Sequence, residues 1–410
     1  MTKRISSSQV LTLIFCFLIP TQLGKHFWPG YTFVSNIKID YLSPTLYLTH
    51  LIILLLIVIN YRQIPKLFFN FKYKYIFLTI FFFSFLSWSQ TSSLQSLLLP
   101  FLYLGLIFAG TYFVVQNLKN NNIQKLAAVS LILGLLLQTI LSSYQWQTGH
   151  SFNRFAYWLG ERETNISQPF SPKTRLINTV KLRPSGTFSH PNSLSAYAVI
   201  VAVLIFQFLP KSSSSKKIII GLLILSSIII FITQSFNTYF SLFLSLLTLI
   251  IYSHLFKNTR ILLVPLVLGI IIPLILPFVP FFPTNDSLSR RIIHYQTILP
   301  YIRAFPLGTG PNQYISHLPQ FITPSIELLQ PLHNTYWLII LQLGIPLSFL
   351  IFLSFSQQIP HKPKPLFIFL SSFVLYTAIF DHYWITLAQN QLLLVLVFHL
   401  ARNGNKPDKI

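Results

Sequence analysis

The chain has 410 residues, of which 53% are hydrophobic and only 9% are charged, whereas soluble domains carry about 25% charged residues. This composition excludes an ordinary soluble protein and indicates an integral membrane protein. The formal net charge of +22 would also suit a nucleic-acid-binding protein. The basic residues, however, are in short loops between apolar stretches and not on a soluble face, which argues against that class.

The N-terminal segment reads MTKR followed by an apolar run from Val10 to Pro20. It resembles a signal peptide, but no small-residue cleavage site follows, so we expect it to be a retained first span. Cys16 is the only cysteine, which excludes a disulfide within the chain and a thiolate metal site. The sequence shows no other spacing typical of metal ligands, and we predict neither a metal nor a cofactor.

Twelve apolar runs approach the length of about 20 residues that a helix needs to cross a bilayer. They are 8–24, 44–61, 74–89, 96–117, 124–145, 190–209, 217–233, 236–255, 260–280, 333–355, 364–381 and 384–401. Their cores contain no Asp, Glu, Lys or Arg, and we expect His50, His254 and His399, in or beside them, to be packed or interfacial. The sequence predicts an all-α polytopic membrane protein forming a single membrane domain, 1–410.

The distribution of Lys and Arg predicts the orientation, because basic residues accumulate in short cytoplasmic loops. If both termini are cytoplasmic, most of the basic residues and only one acid, Asp408, belong to inner segments. Two long polar loops, 146–189 and 281–332, then face outward. We therefore predict a multi-pass protein of the cytoplasmic (inner) membrane whose active site is on the extracytoplasmic face.

The first long loop ends in RPSGTFSHPN, which runs from Arg183 to Asn192 and leads directly into a span. His190, Pro191 and Asn192 are typical of a helix start. A helix N-terminus beside an arginine suits an anion, because a guanidinium group can bind phosphate through two hydrogen bonds. The same residues would also serve an ordinary capped helix with a basic residue at its edge.

The second long loop contains SLSRRIIHYQTILPYIRAFPLGTGPNQY, from Ser287 to Tyr314. Arg291, His294, Tyr295 and Ile298 recur at helical spacing, which predicts a short amphipathic helix on the membrane surface, ended by Pro306. The GTG sequence that follows predicts a turn whose backbone can approach a ligand closely.

A histidine and an acid lie at the outer edges of the last spans. His333 and Asn334 open the tenth span, and the short loop FDHYW contributes Asp381. A histidine titrates near neutrality and can take a proton from a sugar hydroxyl. An interfacial histidine that caps its helix, and a structural aspartate, would also explain these residues.

At these positions the chain resembles the O-antigen ligase and Wzy polymerase superfamily. The R-x-S-G-T-F-x-x-P-N pattern of that group is present from Arg183 to Asn192. An arginine four residues before an aromatic, a proline and a G-x-G turn follow as Arg291, Tyr295, Pro306, Gly308 and Gly310. The H-N-x-Y/F-L element is represented by His333, Asn334 and Tyr336, with Leu338 one residue later than the pattern has it. The order of the elements is kept over most of the chain.

Two positions depart from the family pattern. Phe236 follows Ser235 where the family often has arginine, and Gln342 stands in place of an acid. Both changes remove charge from the expected anion site, and Arg290, Arg291 or Arg303 could compensate.

The resemblance implies metal-independent transfer of a glycan from a polyprenyl-pyrophosphate carrier to an acceptor sugar hydroxyl. Arg183 and Arg291 would stabilise the pyrophosphate leaving group and His333 would act as base. The implied substrate-binding residues are Asn334, Arg290, Asn192, Gly308, Gly310 and Asp381. The partners would be the lipid-linked donor, a glycan or lipid-anchored acceptor, and the bilayer.

Ligase, polymerase and protein O-glycosyltransferase remain open at this stage. The principal alternative from another class is a transporter or flippase of lipid-linked oligosaccharides, which the number of spans also suits. Transporters usually place ionisable groups or broken helices at the bilayer midplane. A non-catalytic membrane scaffold is a third possibility, and it would not require Arg183, Arg291 and His333 to lie together.

Overall fold

The computed structural model describes residues 5–64, 93–169, 171–176, 179–209, 213–256, 258–279, 286–359 and 363–403, together with Thr79, Phe81, Phe82 and Phe85. The predicted span 74–89 and the start of the second long loop lie largely or wholly outside these residues. Nearly all regular structure in the described part is helical. The helices are α1 (Ser7–Leu18), α2 (Leu48–Ile59), α3 (Leu94–Asn117), α4 (Asn121–Thr148), α5 (Pro191–Phe208), α6 (Ser213–Thr233), α7 (Phe236–Ile251), α8 (Val264–Ile275), α9 (Asp286–Gln296), α10 (Ile298–Ala304), α11 (Tyr314–His317), α12 (Thr335–Gln358), α13 (Pro365–Phe380), α14 (Tyr383–Thr386) and α15 (Ala388–Asn403).

Seven helical segments of the described chain are long and apolar enough to cross a membrane, and four shorter apolar helices accompany them. Large apolar side chains on their surfaces remain exposed, among them Leu102, Ile140 and Phe243 at 58–65%. Water would not stabilise so many exposed apolar groups, whereas lipid does. The chain is a multi-pass membrane protein. The count of twelve spans stays a prediction.

Helix α5 is the central element of the bundle. It packs against α4, α6, α7 and α15, and its side chains from Pro191 to Val201 are all buried. A helix that is apolar around its whole circumference is expected in the interior of a bundle. The N-terminus of α5, where the first motif lies, is therefore held by several neighbouring helices.

Three short antiparallel hairpins occur in the loops. Strands β1 (Gly24–His26) and β4 (Thr45–Tyr47) pair between α1 and α2 and enclose a smaller hairpin of β2 (Phe33–Val34) and β3 (Ile37–Lys38). The helix predicted over 8–24 ends earlier than its apolar run, because the chain enters this hairpin. In the first long loop, β5 (Lys173–Leu176) pairs with β6 (Thr179–Leu182), which leads to Arg183.

Helix α12 is interrupted, although the sequence predicts one span over 333–355. Gly344 has φ 77° and ψ 165°, and Pro346 follows it. The turn that follows α10 packs against the backbone at this break. The N–H of Gly310 donates a hydrogen bond to the carbonyl of Gln342 at 2.8 Å. The second long loop therefore packs into the interrupted helix. Its described part contains α9 and α10, which are separated at Thr297, and the short helix α11.

Candidate active site

Arg183 is fixed at the junction of β6 with the start of α5. Its Nε donates to the carbonyl of Thr233, the last residue of α6, at 2.8 Å, and its Nη2 donates to Asn192 Oδ1 at 3.0 Å. A guanidinium group suits the carbonyl end of a helix, where the dipole is negative. Nη1 has no hydrogen-bond partner in the described chain, so the side chain is oriented while part of its fork stays free.

Asn192 connects this arginine to the acid. Its Oδ1 accepts hydrogen bonds from Arg183 and from Ser235 Oγ at 2.9 Å, and its Nδ2 donates to Asp381 Oδ2 at 2.8 Å. The side chain is 5% exposed. Asn192 is thus a positioning residue, and the expectation that it binds substrate directly does not follow from its contacts. Asn192 is the second residue of α5, and His190 provides its N-cap.

Asp381 and two histidines form the other half of the cluster. Asp381 Oδ1 accepts a hydrogen bond from the backbone N–H of His382 at 2.9 Å and lies 3.7 Å from His333 Nδ1, an ion-pair distance that is longer than a hydrogen bond. The rings of His333 and His382 are 4.9 Å apart. Asp381 and His382 are buried, whereas the side chain of His333 is 20% exposed. Its Nδ1 faces the acid, which leaves Nε2 for a ligand.

Burial determines the protonation of this cluster. It lowers the pKa of His333 to about 3, against the effect of Asp381, and the charge of Arg291 adds to the decrease. Burial likewise lowers the pKa of His190 and His382 to about 4. Burial alone would raise the pKa of Asp381, but His333 and His382 together hold it well below its ordinary value. At neutral pH the cluster therefore contains a carboxylate beside neutral imidazoles.

Arg291 and Arg290 are neighbours in α9 with different surroundings. The charge of Arg291 lowers the pKa of Arg183, His190, His333 and His382, so it lies close to the cluster. Its Nε is buried and has no hydrogen-bond partner within the described residues. Arg290 forms an ion pair with Glu327 at 3.0 Å, with both side chains well exposed. Of the arginines that could replace the cation absent at Phe236, Arg291 is the one near the cluster.

The side chain of Asn334 forms hydrogen bonds with the backbone of three helices. Its Oδ1 accepts from the N–H of Trp337, which caps α12, and its Nδ2 donates to the carbonyls of Gly269 and Ile379 at 2.8 and 2.9 Å. The residue is fully buried. These contacts tie α12 to α8 and α13 and use both N–H groups of the amide. They support the helix start beside His333, and the binding of a substrate by Asn334 stays a prediction.

The glycines of the GTG turn approach protein backbone rather than a ligand. A Cβ on Gly308, whose φ is +78°, would meet the Gln342 carbonyl oxygen and the Gly344 nitrogen at 2.4 Å. Gly310 has φ 97° and donates its N–H to Gln342. The close approach that the structure shows is to the break in α12. Substrate binding by Gly308 and Gly310 stays a prediction.

Three side chains could in principle hold a metal ion. One ligand atom from each of His333, Asp381 and His382 lies within 4.8 Å of the others. Both oxygens of Asp381 already accept hydrogen bonds, however, and the nearby charge of Arg291 opposes a second cation. The donor set therefore fits a metal poorly. Independence from metals remains a prediction.

Sequence reasoning did not assign three residues that complete the cluster. His382 lies against His333, Tyr295 donates its hydroxyl to the His333 carbonyl at 3.1 Å, and Ser235 supports Asn192. Each is next to, or part of, a motif that the sequence did reveal. Their proximity depends on tertiary packing, which spacing along the chain does not encode.

The family comparison covers most of these residues. A family model described as O-antigen ligase matches residues 192–352, a region that includes Asn192, Arg291 and His333 but not Arg183 or Asp381. No curated protein matches the chain. Over residues 192–352 the chain is therefore similar to the O-antigen ligase family, in agreement with the ordered motifs.

Proposed function

We propose that the protein transfers a glycan from a polyprenyl-pyrophosphate carrier to a hydroxyl of an acceptor sugar, on the outer face of the cytoplasmic membrane. The observation that carries this proposal is one continuous path of contacts. Arg183 bonds to Asn192, Asn192 to Asp381, and Asp381 faces His333. Cations for a leaving pyrophosphate and a neutral base thereby lie together in a family whose name denotes glycan ligation.

The chemistry assigns one task to each side chain. The acceptor oxygen forms a bond to the anomeric carbon of the donor sugar while the bond from that carbon to the pyrophosphate oxygen breaks. The acceptor proton passes to Nε2 of His333, and the leaving polyprenyl pyrophosphate takes the bonding electron pair. Arg183 and Arg291 stabilise the negative charge that develops on it. Asp381 stabilises the imidazolium as it forms and fixes the ring.

The electrostatics make the base dependent on the donor. In the free enzyme, burial and Arg291 keep His333 neutral but weakly basic. A pyrophosphate bound to the two arginines would offset their charge and raise the pKa of His333. The base would become effective only when the leaving group is in place, which would limit abortive proton transfer.

The direct test is glycan transfer by the full chain in nanodiscs, with a defined polyprenyl-pyrophosphate oligosaccharide as donor and acceptors supplied separately. His333→Ala should lower kcat by about 10²–10⁴-fold, the usual contribution of a general base. His254→Ala, at an exposed site, is the matched control and should keep normal activity. A correctly folded His333→Ala protein with undiminished transfer would refute the assigned role.

The acceptors in the same assay separate the biological variants of the reaction. Elongation of a polyprenyl-linked glycan identifies a polymerase, transfer to a lipid-anchored core sugar identifies a ligase, and modification of a protein identifies a protein glycosyltransferase. The transporter alternative is less well supported. A broken helix such as α12 would favour a transporter. At Gly344, however, the turn at Leu307 and Gly308 occupies the space beside the break.

A further inference from the structure

A cavity of about 490 Å³ lies beside the Arg183–His333 cluster but is lined by none of its proposed catalytic residues. The loop between α1 and α2 contributes His26, Asp40, Tyr41, Ser43, Thr45 and Tyr47. The rest of the wall comes from α2, α3, α12, α14 and α15 and from the two long loops, which contribute Arg162, Ser189 and Asn312. The volume is within the range of about 300–1,000 Å³ that is typical of small-molecule sites.

Two polar side chains in this wall have unmet hydrogen-bonding capacity. His50 is only 3% exposed, and at most one of its two ring nitrogens is paired, with the backbone of Thr45. Its ring lies between Tyr47, edge-on at 5.3 Å, and Tyr103, stacked at 5.2 Å. Ser189 Oγ is also buried without a partner. Buried polar groups are rarely left unpaired, so these atoms indicate that a polar ligand completes the site.

The charge of the cavity distinguishes its ligand from the pyrophosphate. Asp40 and Arg162 are the only Asp, Glu, Lys or Arg among the described lining residues, and they pair with each other at 3.5 Å. The remaining polar lining consists of hydroxyls, amides and imidazoles. Hydroxyls and amides beside the faces of Tyr41, Tyr47 and Tyr103 suit the hydroxyls and C–H faces of a sugar better than an anion.

His382 separates the cavity from the proposed base. Thr386 and Tyr41 line the cavity, and both touch His382: its Nδ1 hydrogen-bonds to Thr386 Oγ1 at 2.7 Å, and its ring lies edge-on to Tyr41 at 5.5 Å. The ring of His382 also lies 4.9 Å from that of His333. Ser189 likewise lines the cavity next to His190 of the cluster. A glycan held here would thus end close to His333.

We propose that this cavity binds the uncharged acceptor glycan, with His50 and Ser189 as hydrogen-bonding residues. The assignment to the acceptor rests on the proposed transfer reaction, whereas binding of a glycan does not depend on it. His50 would then be a specificity residue, in contrast to the packing role expected from the sequence.

Cysteine protection tests the occupant directly. Cys16 is fully buried, so the unmodified chain provides the blank for labelling by methyl methanethiosulfonate. Ser43→Cys puts a thiol in the cavity wall, and Ser167→Cys puts one at an exposed site in the first long loop. The probes are the oligosaccharide released from the donor by mild acid, inorganic pyrophosphate, and farnesol.

The released oligosaccharide should slow labelling at position 43 about tenfold at saturation, as expected when a bound ligand leaves the thiol accessible in about a tenth of the molecules. It should not affect position 167. Protection by pyrophosphate or farnesol, or absence of protection by the oligosaccharide, would overturn the proposal. These outcomes do not depend on His333, so they separate this site from the transfer chemistry.

A kinetic test then addresses the acceptor role. His50→Leu should raise KM for the acceptor about tenfold by removing a buried hydrogen bond, with KM for the donor unchanged. His254→Leu, at an exposed position, is the matched control. An unchanged acceptor KM, or a rise in donor KM alone, would contradict the assignment, while the oligosaccharide-protection result would still report on glycan binding.

Discussion

Each of the two long loops contains a motif, and the two motifs make different kinds of contact in the structure. The arginine of the first loop is held by Thr233 and Asn192 and keeps Nη1 unpaired within the described chain. The glycine turn of the second loop is closed on the break of α12, with Gly310 bonded to Gln342. A motif at a membrane surface can thus bind a ligand or stabilise the fold. A motif that binds a ligand retains hydrogen-bonding groups without a partner in the protein.

Of the two loops, the first should show the larger effect on activity, because its arginine, Arg183, keeps a free group. Arg183→Lys retains the charge but cannot reach Thr233, Asn192 and a phosphate oxygen at once. Loss of one electrostatic contact to a developing anion should lower kcat about 10²–10³-fold. Arg303→Lys is the matched control, because Arg303 is exposed and should tolerate the change. Equal activity of the two variants would contradict the assignment of Arg183 to the substrate and the difference drawn between the two loops.

A substitution in the glycine turn should lower the stability of the protein more than its catalytic rate. Gly308→Ala places a methyl group 2.4 Å from backbone atoms of α12 at a positive φ, and overpacking of this kind costs about 1–3 kcal/mol. We expect a lower thermal unfolding temperature in detergent, with kcat per folded molecule little changed. Gly30→Ala, where an added Cβ meets nothing within 4 Å, is the control. A loss of kcat without a loss of stability would instead support a role for Gly308 in substrate binding.

The membrane class and several of the clustered residues could be predicted from the sequence, because composition and short motifs are local properties. It could not assign the partners of those residues. Asn334 and Asn192 are both asparagines at helix starts, yet only Asn192 joins the arginine to the acid. The difference arises because Asn192 belongs to the central helix α5, whereas Asn334 meets the carbonyls of α8 and α13. The cavity near His50 was also missed, because its wall combines a short loop with four separate helices.

The smallest effect, a shift in pH dependence, tests the coupling between the arginines and the base. Arg291 lowers the pKa of His333, so Arg291→Gln should raise it. His333 acts in its neutral form, and activity is lost as the pH falls through its pKa. The acid limb of kcat/KM for the donor should therefore begin at a higher pH in Arg291→Gln than in the unmodified enzyme, whose His333 has a pKa of about 3.

The control for this shift is Arg303→Gln, since Arg303 does not contribute to the pKa of His333. Its profile should match that of the unmodified enzyme, because removal of an exposed charge leaves the buried imidazole unchanged. If Arg291→Gln lowers kcat/KM equally at every pH, Arg291 binds the donor without influencing the base. If the limb moves to lower pH, the sign of the coupling is wrong, and with it the idea that pyrophosphate binding makes His333 more basic.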